Sequence, residues 1–440
     1  MKKRSIEYIK FSNKFYNTII KPFDKLLFPV IDKNELIKER IAKEIPLNKI
    51  PNVADIYNPE WGDVLRSIKM IWGMDENSFH RKIWEFTHIL FVLKKLGYLH
   101  PESEGLSIAA GREQILYYLA HKIKKIVGVD LYEGNYIGGE DEPDIPLNPG
   151  KYAPFIYPEN NLELKKMDAL NLEFENNSFD FVFSASSIEH FGFEKNIKKS
   201  ISEMRRVLKP GGLCVITTEL KLNRLARDIP NTKLFKLDNL LKIFKDCNFK
   251  LVDENIDIKI ESQYLDNWVK LPQEVFKSPH VILRFFSSVF TSLALVYKKD
   301  GDDVKKGDWK ESVDIIPLNY KSSMSVELER DNIKKNEKIN LNIKLENKSN
   351  FDWYVKGVSH RIAIGIKLLD LDENVIDSGF GEILIPEDIK KGQTYSFKTS
   401  INSEKLSPGK YKLFIGLKRE LMTWFFEKGE KASIKDITIV

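Results

Sequence analysis

Cysteine is nearly absent: two in 440 residues, Cys214 and Cys247, in no C-x-x-C pair. That excludes a disulfide framework and a zinc ribbon, and it fits a reducing, cytoplasmic setting. Strong charge of one sign is missing too. Lys and Arg number 69 against 64 Asp and Glu, a net +5, and no basic stripe carries interleaved aromatics, so nucleic acid is not an expected partner. There is no long hydrophobic run. The most apolar stretch, "VILRFFSSVFTSLALVYKK" (281–299), contains Arg284 and several serines. It predicts two buried strands or a strand-turn-strand rather than a membrane span. Lys10, Lys14 and Lys21 interrupt the apolar residues of the basic N-terminus, so no signal-peptide core forms. The histidines show no ligand spacing. The acidic run Glu140, Asp141, Glu142 and Asp144 suits a solvated loop better than a cation site, and no metal is expected.

What is present falls into zones. Residues 1–100 read as a helical N-terminal cap region. "SIEYIKFSNKFYNTII" places Ile6, Ile9, Phe11, Phe15, Ile19 and Ile20 at helical spacing with lysines opposite. Packing on its own domain explains that face, and weak membrane-surface association through this helix is the second reading. "HRKIWEFTHILFVLKKLGYL" (80–99) is a second helix. Residues 101–300 alternate apolar strands with helical patterns, which predicts parallel βαβ units in an α/β domain. One such strand is "FKLVDENIDI" (249–258). Residues 301–320 are charged and suit a linker. In residues 321–440 the period becomes two: Ile339, Leu341, Ile343 and Leu345 alternate with polar residues, as do Tyr411, Leu413, Ile415 and Leu417. An antiparallel, immunoglobulin-like β-sandwich is expected there.

Chemistry concentrates in "GLSIAAGREQILYYLAHKIKKIVGVDLY" (105–132). A strand ends at Ala109 and Ala110, Gly111 turns the chain, and a helix beginning near Arg112 points free N–H groups at the turn. The next strand ends at Asp130, where a carboxylate can accept two hydrogen bonds from a ribose diol. This stretch alone indicates an adenosine-type cofactor and does not choose between NAD and others. Three more segments follow: "KMDAL" with Asp168, "SFDFVFSASSIEHF", and "SEMRRVLKPGG".

In this order, residues 105–220 resemble class I S-adenosylmethionine-dependent methyltransferases, with their "D…SFD.V.S…EH…R.LKPGG" signature. The resemblance implies S-adenosyl-L-methionine as cofactor and a Rossmann-like sheet. It implies that Ala109, Ala110 and Gly111 face the methionine part and that Asp130, with Leu131, meets the ribose. Asp168 and Ala169 would contact adenine, while Ser184, Ala185 and Ser186, on to Ser187, line the reactive side. The chain departs from the pattern at three positions. Ser107 stands where an acid is frequent, and Ala109 and Glu113 replace loop glycines. Glu189 and His190 follow the fourth strand, and His190 is the candidate base for a hydroxyl acceptor.

The C-terminal zone faintly resembles β-sandwich modules of polysaccharide-processing and export proteins. Trp353, Tyr354, Trp424 and Phe425 either stack on sugars or fill its core. The expectation is methylation of a sugar hydroxyl on a cell-surface glycan or its precursor. The alternatives are a small-molecule or lipid-linked hydroxyl, and a non-catalytic methyltransferase fold carrying a glycan-binding sandwich. The sequence does not give an oligomeric state.

Overall fold

A computed structural model describes residues 36–37, 44–72, 79–133, 145–224, 226–261, 268–271, 274, 279–302, 307, 316–356, 361–420 and 423–440. The N-terminal amphipathic segment and the acidic run 140–144 lie outside these residues. No helix among the described residues is long and apolar enough to cross a membrane. The chain forms two compact units, Met1–Leu131 with Pro158–Val313, and Tyr132–Tyr157 with Asp314–Val440.

The first unit opens with helices α1 (Pro59–Trp72) and α2 (Arg81–Lys95). Both bury a tryptophan, Trp61 and Trp84. The Trp84 indole donates to Asp55 at 2.8 Å, which also pairs with buried Lys49. Then come β1 (Glu104–Ile108), α3 (Ile115–Lys122), β2 (Lys125–Asp130), β3 (Leu162–Lys166) and β4 (Phe179–Ala185). After these follow α4 (Glu194–Val207), β5 (Leu208–Lys221), α5 (Leu237–Asp246), β6 (Leu283–Phe285) and β7 (Ser288–Lys298). All seven residues of β4 are buried, as expected of a strand covered on both faces.

The strand order is β6-β7-β5-β4-β1-β2-β3. β1 through β5 are parallel, and β7 runs antiparallel to β5, with Phe290 opposite Lys221 and Lys298 opposite Leu213. The sheet is therefore mixed rather than wholly parallel. The two-residue link between β6 and β7 can only make a hairpin. An antiparallel strand inserted beside β5 also departs from the 3-2-1-4-5-6 dinucleotide order.

Two local expectations change. The stretch 249–258 is not one strand but two short pieces, Lys250–Leu251 and Ile256–Asp257. Between them the Asp253 side chain accepts the Asn255 N–H at 2.9 Å, an Asx turn that interrupts the ladder. The helix after Gly111 starts at Ile115, because Glu113 N–H donates to Ala110 O at 3.1 Å and closes a separate turn.

The second unit is a two-sheet sandwich. One sheet orders β8 (Ser322–Leu328), β9 (Lys338–Asn347) and β12 (Thr394–Asn402). The other contains β10 (Ile362–Leu369), β11 (Val375–Ile383), β13 (Gly409–Arg419) and β14 (Ser433–Ile439), ordered β14-β13-β10-β11, with Asn332–Ile333 added parallel to β14. Leu341 and Ile343 from the first sheet meet Ile364, Ile366, Leu413 and Ile415 from the second in one core. Trp353 and Phe425 are buried in that core, while Tyr354 and Trp424 are half-buried.

Candidate cofactor and acceptor site

The strand order reverses at β1, which has β2 on one side and β4 on the other. In open α/β sheets ligands bind beyond the carboxyl ends of the strands at such a switch point. The loops following β1 and β4 meet there, with the Ser187 hydroxyl 3.4 Å from Ala109 O. Gly111 has φ +47, and a Cβ built on it would meet nothing within 4 Å. A ligand can approach the backbone at this point.

Ala109 and Ser186 also adopt positive φ, 54° and 50°. Non-glycine residues rarely do so, and such strain gathers at ligand sites. A left-handed alanine costs roughly 1–2 kcal/mol. Ala109→Gly should therefore stabilise the protein by about 1 kcal/mol without weakening cofactor binding. Thermal melting with and without S-adenosylhomocysteine checks this; a lower melting temperature would show that the methyl group packs usefully.

Asp130 is buried at the end of β2, and its carboxylate accepts the Gly111 N–H at 3.0 Å. The same side chain thus fixes the turn and presents acceptor capacity beside it. Leu131 is 47% exposed. Asp168 is exposed and accepts the Leu170 N–H at 2.8 Å, while Ala169 is buried. Ser184 is buried with no partner for its hydroxyl among the described residues. The open face of Gly111, the Asp130 carboxylate and this orphaned hydroxyl suit the ribose and small-residue contacts of an S-adenosylmethionine site.

Glu113 does not point away. Its carboxyl turns back to the end of β1 and accepts the Ser107 hydroxyl at 3.3 Å. A carboxyl therefore stands beside position 107 although that residue is serine. Burial raises Glu113 well above the usual carboxylate range, against the pull of Lys82 and Ser107. A ligand bearing an ammonium or sulfonium would favour its ionised form. Where Glu113 is protonated in the free protein, cofactor binding should thus release a proton. Calorimetry in two buffers of different ionisation enthalpy would count it, and Glu113→Gln should abolish the release. An equal count in both proteins would remove Glu113 from the site.

Sequence reasoning missed the first turn of α2. Glu85 is buried and accepts from Arg81 at 3.0 Å, Lys82 at 3.0 Å, Ser186 at 2.8 Å and the Ser292 hydroxyl. Burial alone would raise its carboxyl, but Lys82, Arg81 and these hydroxyls hold it down at about 2. Lys82 also donates to Ala185 O at 3.1 Å, which ties α2 to the loop after β4. Arg81 reaches Glu219 near the end of β5 at 2.6 Å. In "HRKIWE" these charges look like an ordinary solvated helix face, and nothing in their spacing separates the two cases.

Glu189 completes this cluster. Among the described residues, Glu85, Glu189 and Glu219, with Glu113 close by, face two cations, Arg81 and Lys82, so the carboxyls outnumber their counter-charges. Burial, reinforced by Glu219, pushes Glu189 up to about 8, with Lys82 and Thr218 pulling the other way. One Glu189 oxygen accepts the Thr218 hydroxyl at 2.8 Å, and the other is buried without a partner among the described residues. His190, by contrast, is exposed, with Nδ1 2.7 Å from Asn231 O. Two further histidines lie beside the cluster. His80 and His280 stack at 4.0 Å, and burial lowers them to about 4 and about 3.

The remaining signature residues hold the scaffold. Asp180 of "SFDFV" accepts Lys209 of "LKPGG" at 2.9 Å through both oxygens, and also the Glu104 N–H at 2.8 Å. Arg206 donates to Leu172 O and Phe174 O, each at 2.7 Å, and pins the loop after β3 to α4.

Residues 106–216 match a family model described as a methyltransferase domain. Sterol 24-C-methyltransferase ERG6B of Gibberella zeae is 25% identical over 217 residues, covering 45% of this chain and 51% of that protein. An uncharacterized protein of Methanocaldococcus jannaschii is 27% identical over 133 residues, covering 30% of this chain and 54% of that one. The chain thus spans about half the length of the curated relatives it matches. A solved S-adenosylmethionine-dependent methyltransferase of Methanosarcina mazei aligns with a TM-score of 0.32 at 18% identity, over 47% of this chain and 96% of that one. One from Aquifex aeolicus aligns with a TM-score of 0.29 at 16% identity, over 47% and 87%. Residues 106–216 are a class I S-adenosylmethionine-dependent methyltransferase domain, and its cofactor is S-adenosyl-L-methionine.

Proposed function

We propose that the protein methylates an acceptor hydroxyl, and that the acceptor is a sugar hydroxyl of a glycan or glycan precursor. The observation that carries the hydroxyl assignment is Glu189, a buried carboxyl with one unpartnered oxygen, held near neutral pKa just past β4. A hydroxyl must lose its proton as it attacks, and a base titrating near the working pH is suited to take it. When bound, S-adenosylmethionine supplies a methyl group on a positively charged sulfur, already activated for transfer. The protein's share is position and proton transfer. Asp130 and the Ala109–Gly111 turn hold the cofactor, Lys82 and Glu85 hold the loop after β4, and Glu189 accepts the acceptor's proton.

The sugar assignment is supported by Trp424, a half-buried aromatic residue outside the core of the second unit. Incubation with methyl-labelled cofactor and glycan extracts tests both parts. The expected product carries label in an ether that survives mild alkali. Alkali-labile label would mean a carboxyl acceptor. No transfer by a protein that binds S-adenosylhomocysteine would favour the non-catalytic reading.

A further inference from the structure

The larger sheet of the second unit carries on its outer face a tryptophan seat that its core does not need. Ile364, Ile366, Leu413 and Ile415 point into the core, so Gly365 and Gly416, which alternate with them, face outward. These glycines stand directly opposite each other on β10 and β13. A Cβ on Gly365 would lie 2.3 Å from the Trp424 ring, and one on Gly416 would lie 3.5 Å from it. Gly365 is thus a floor cut to the tryptophan, while a Cβ on Gly416 would press first on Phe414, at 3.2 Å. Phe414 and Phe426 flank Trp424, with ring centroids 6.2 and 5.6 Å away. Lys367, cross-strand partner of Phe414, places its ammonium 4.8 Å from the Trp424 ring, 5.0 Å from Phe426 and 5.4 Å from Phe414.

That ammonium makes no direct ion pair among the described residues, although it stands near enough to help hold the Glu427 carboxyl down, whereas the neighbouring Lys418 is paired with Glu382. The three rings attract the cation without neutralising it. A directly bound anionic group is the missing counterpart. The surroundings also limit the ligand. Glu427 accepts Thr423 and the Trp424 N–H, and Glu382 is held by Arg361 and Lys418. Carboxylates this close repel a phosphodiester chain, which needs several cations in a row. They accept readily from hydroxyls. An apolar plane, one ammonium without a direct ion pair and hydroxyl-accepting carboxylates together match a sugar ring with a single acidic substituent.

We propose that the outer face around Trp424 binds an acidic glycan, with a pyranose ring against Trp424 and its carboxylate on Lys367. The choice of a glycan extends the acceptor class proposed above, but the site needs no methyl transfer. Calorimetry of S-adenosylhomocysteine binding on the same samples keeps the two readings apart.

The test titrates the full chain with a xylo-oligosaccharide carrying a single glucuronate, the same oligosaccharide without it, and oligo-dT. The acidic oligosaccharide should bind, its neutral counterpart more weakly, and oligo-dT not at all. Trp424→Ala should weaken binding of the acidic oligosaccharide by about tenfold or more. Lys367→Met should remove the preference for the acidic over the neutral oligosaccharide, with the melting temperature and cofactor binding of the protein retained. Gly365→Ala, whose methyl group would strike the Trp424 ring while leaving Trp424 in the sequence, should reproduce the Trp424→Ala loss. Binding by neither saccharide, binding of oligo-dT alone, or affinity for the acidic oligosaccharide indifferent to folded Trp424→Ala would each overturn the proposal.

Discussion

Glu189→Gln should slow methyl transfer by roughly 10²- to 10⁴-fold, the usual contribution of a positioned proton acceptor. Glutamine keeps the length of the side chain and can still accept the Thr218 hydroxyl that now reaches Glu189 at 2.8 Å. What it cannot do is take a proton. The wild-type rate should depend on pH in a defined sense. The carboxyl is held protonated up to about 8, and only its ionised form acts as base. The apparent kcat/KM should therefore rise as pH increases, level off above about 8, and fall tenfold per unit on the acid side. In the variant that slope should vanish. Stability separates this from misfolding. A carboxyl whose folded pKa lies above its unfolded one binds a proton on folding, and that contribution is lost as pH rises from the unfolded value through the folded one. Glutamine removes that loss, so near pH 8 the variant should melt no lower than the wild type. An unaltered pH profile, or a rate within threefold of wild type, would mean that Glu189 is only a packed acid.

Much of the fold was legible because strand and helix periodicities report burial directly. β4 is apolar except for Asp180 and Ser184 and is buried at every position, and the sandwich strand β9 alternates as its period of two implies. The turn with Gly111 and the acid at Asp130 were legible because few residue types tolerate those places. Other features were not. The antiparallel β7 is set by the brevity of its hairpin with β6, a topological fact that its composition does not carry. The break at Asp253 came from a local side-chain turn that competes with the ladder.

In the site, Glu189 and His190 were indistinguishable as neighbours in "IEH", and only the direction of the chain after β4 sends one inward and the other to the surface. Arg81, Lys82, Glu85 and Glu219 were invisible as a group, because they lie on α2 and β5 and meet only through long-range packing. Glu113 looked like a defect in a glycine loop until its carboxyl was seen beside Ser107.

Asp130→Ala should cost about 2–3 kcal/mol of cofactor affinity, roughly 30- to 150-fold, as expected for hydrogen bonds to a charged group. Two effects add. The ribose diol loses its acceptor at the end of β2. The Gly111 N–H also loses the carboxylate it now donates to at 3.0 Å, which loosens a turn whose residues sit at φ 54° and 47°. Asp130→Asn separates them. Its side-chain oxygen can still accept the Gly111 N–H and hold the turn, but its amide replaces one acceptor by a donor, which the ribose hydroxyls meet less well. The asparagine variant should therefore lose about tenfold, less than alanine. Calorimetry with S-adenosylhomocysteine on variants of verified circular dichroism gives both numbers. Equal losses would place the whole effect in the ribose contact and none in the turn. Unchanged affinity in a folded Asp130→Ala protein would move the ribose away from β2 altogether, and with it the placement of the cofactor at the β1–β4 switch point.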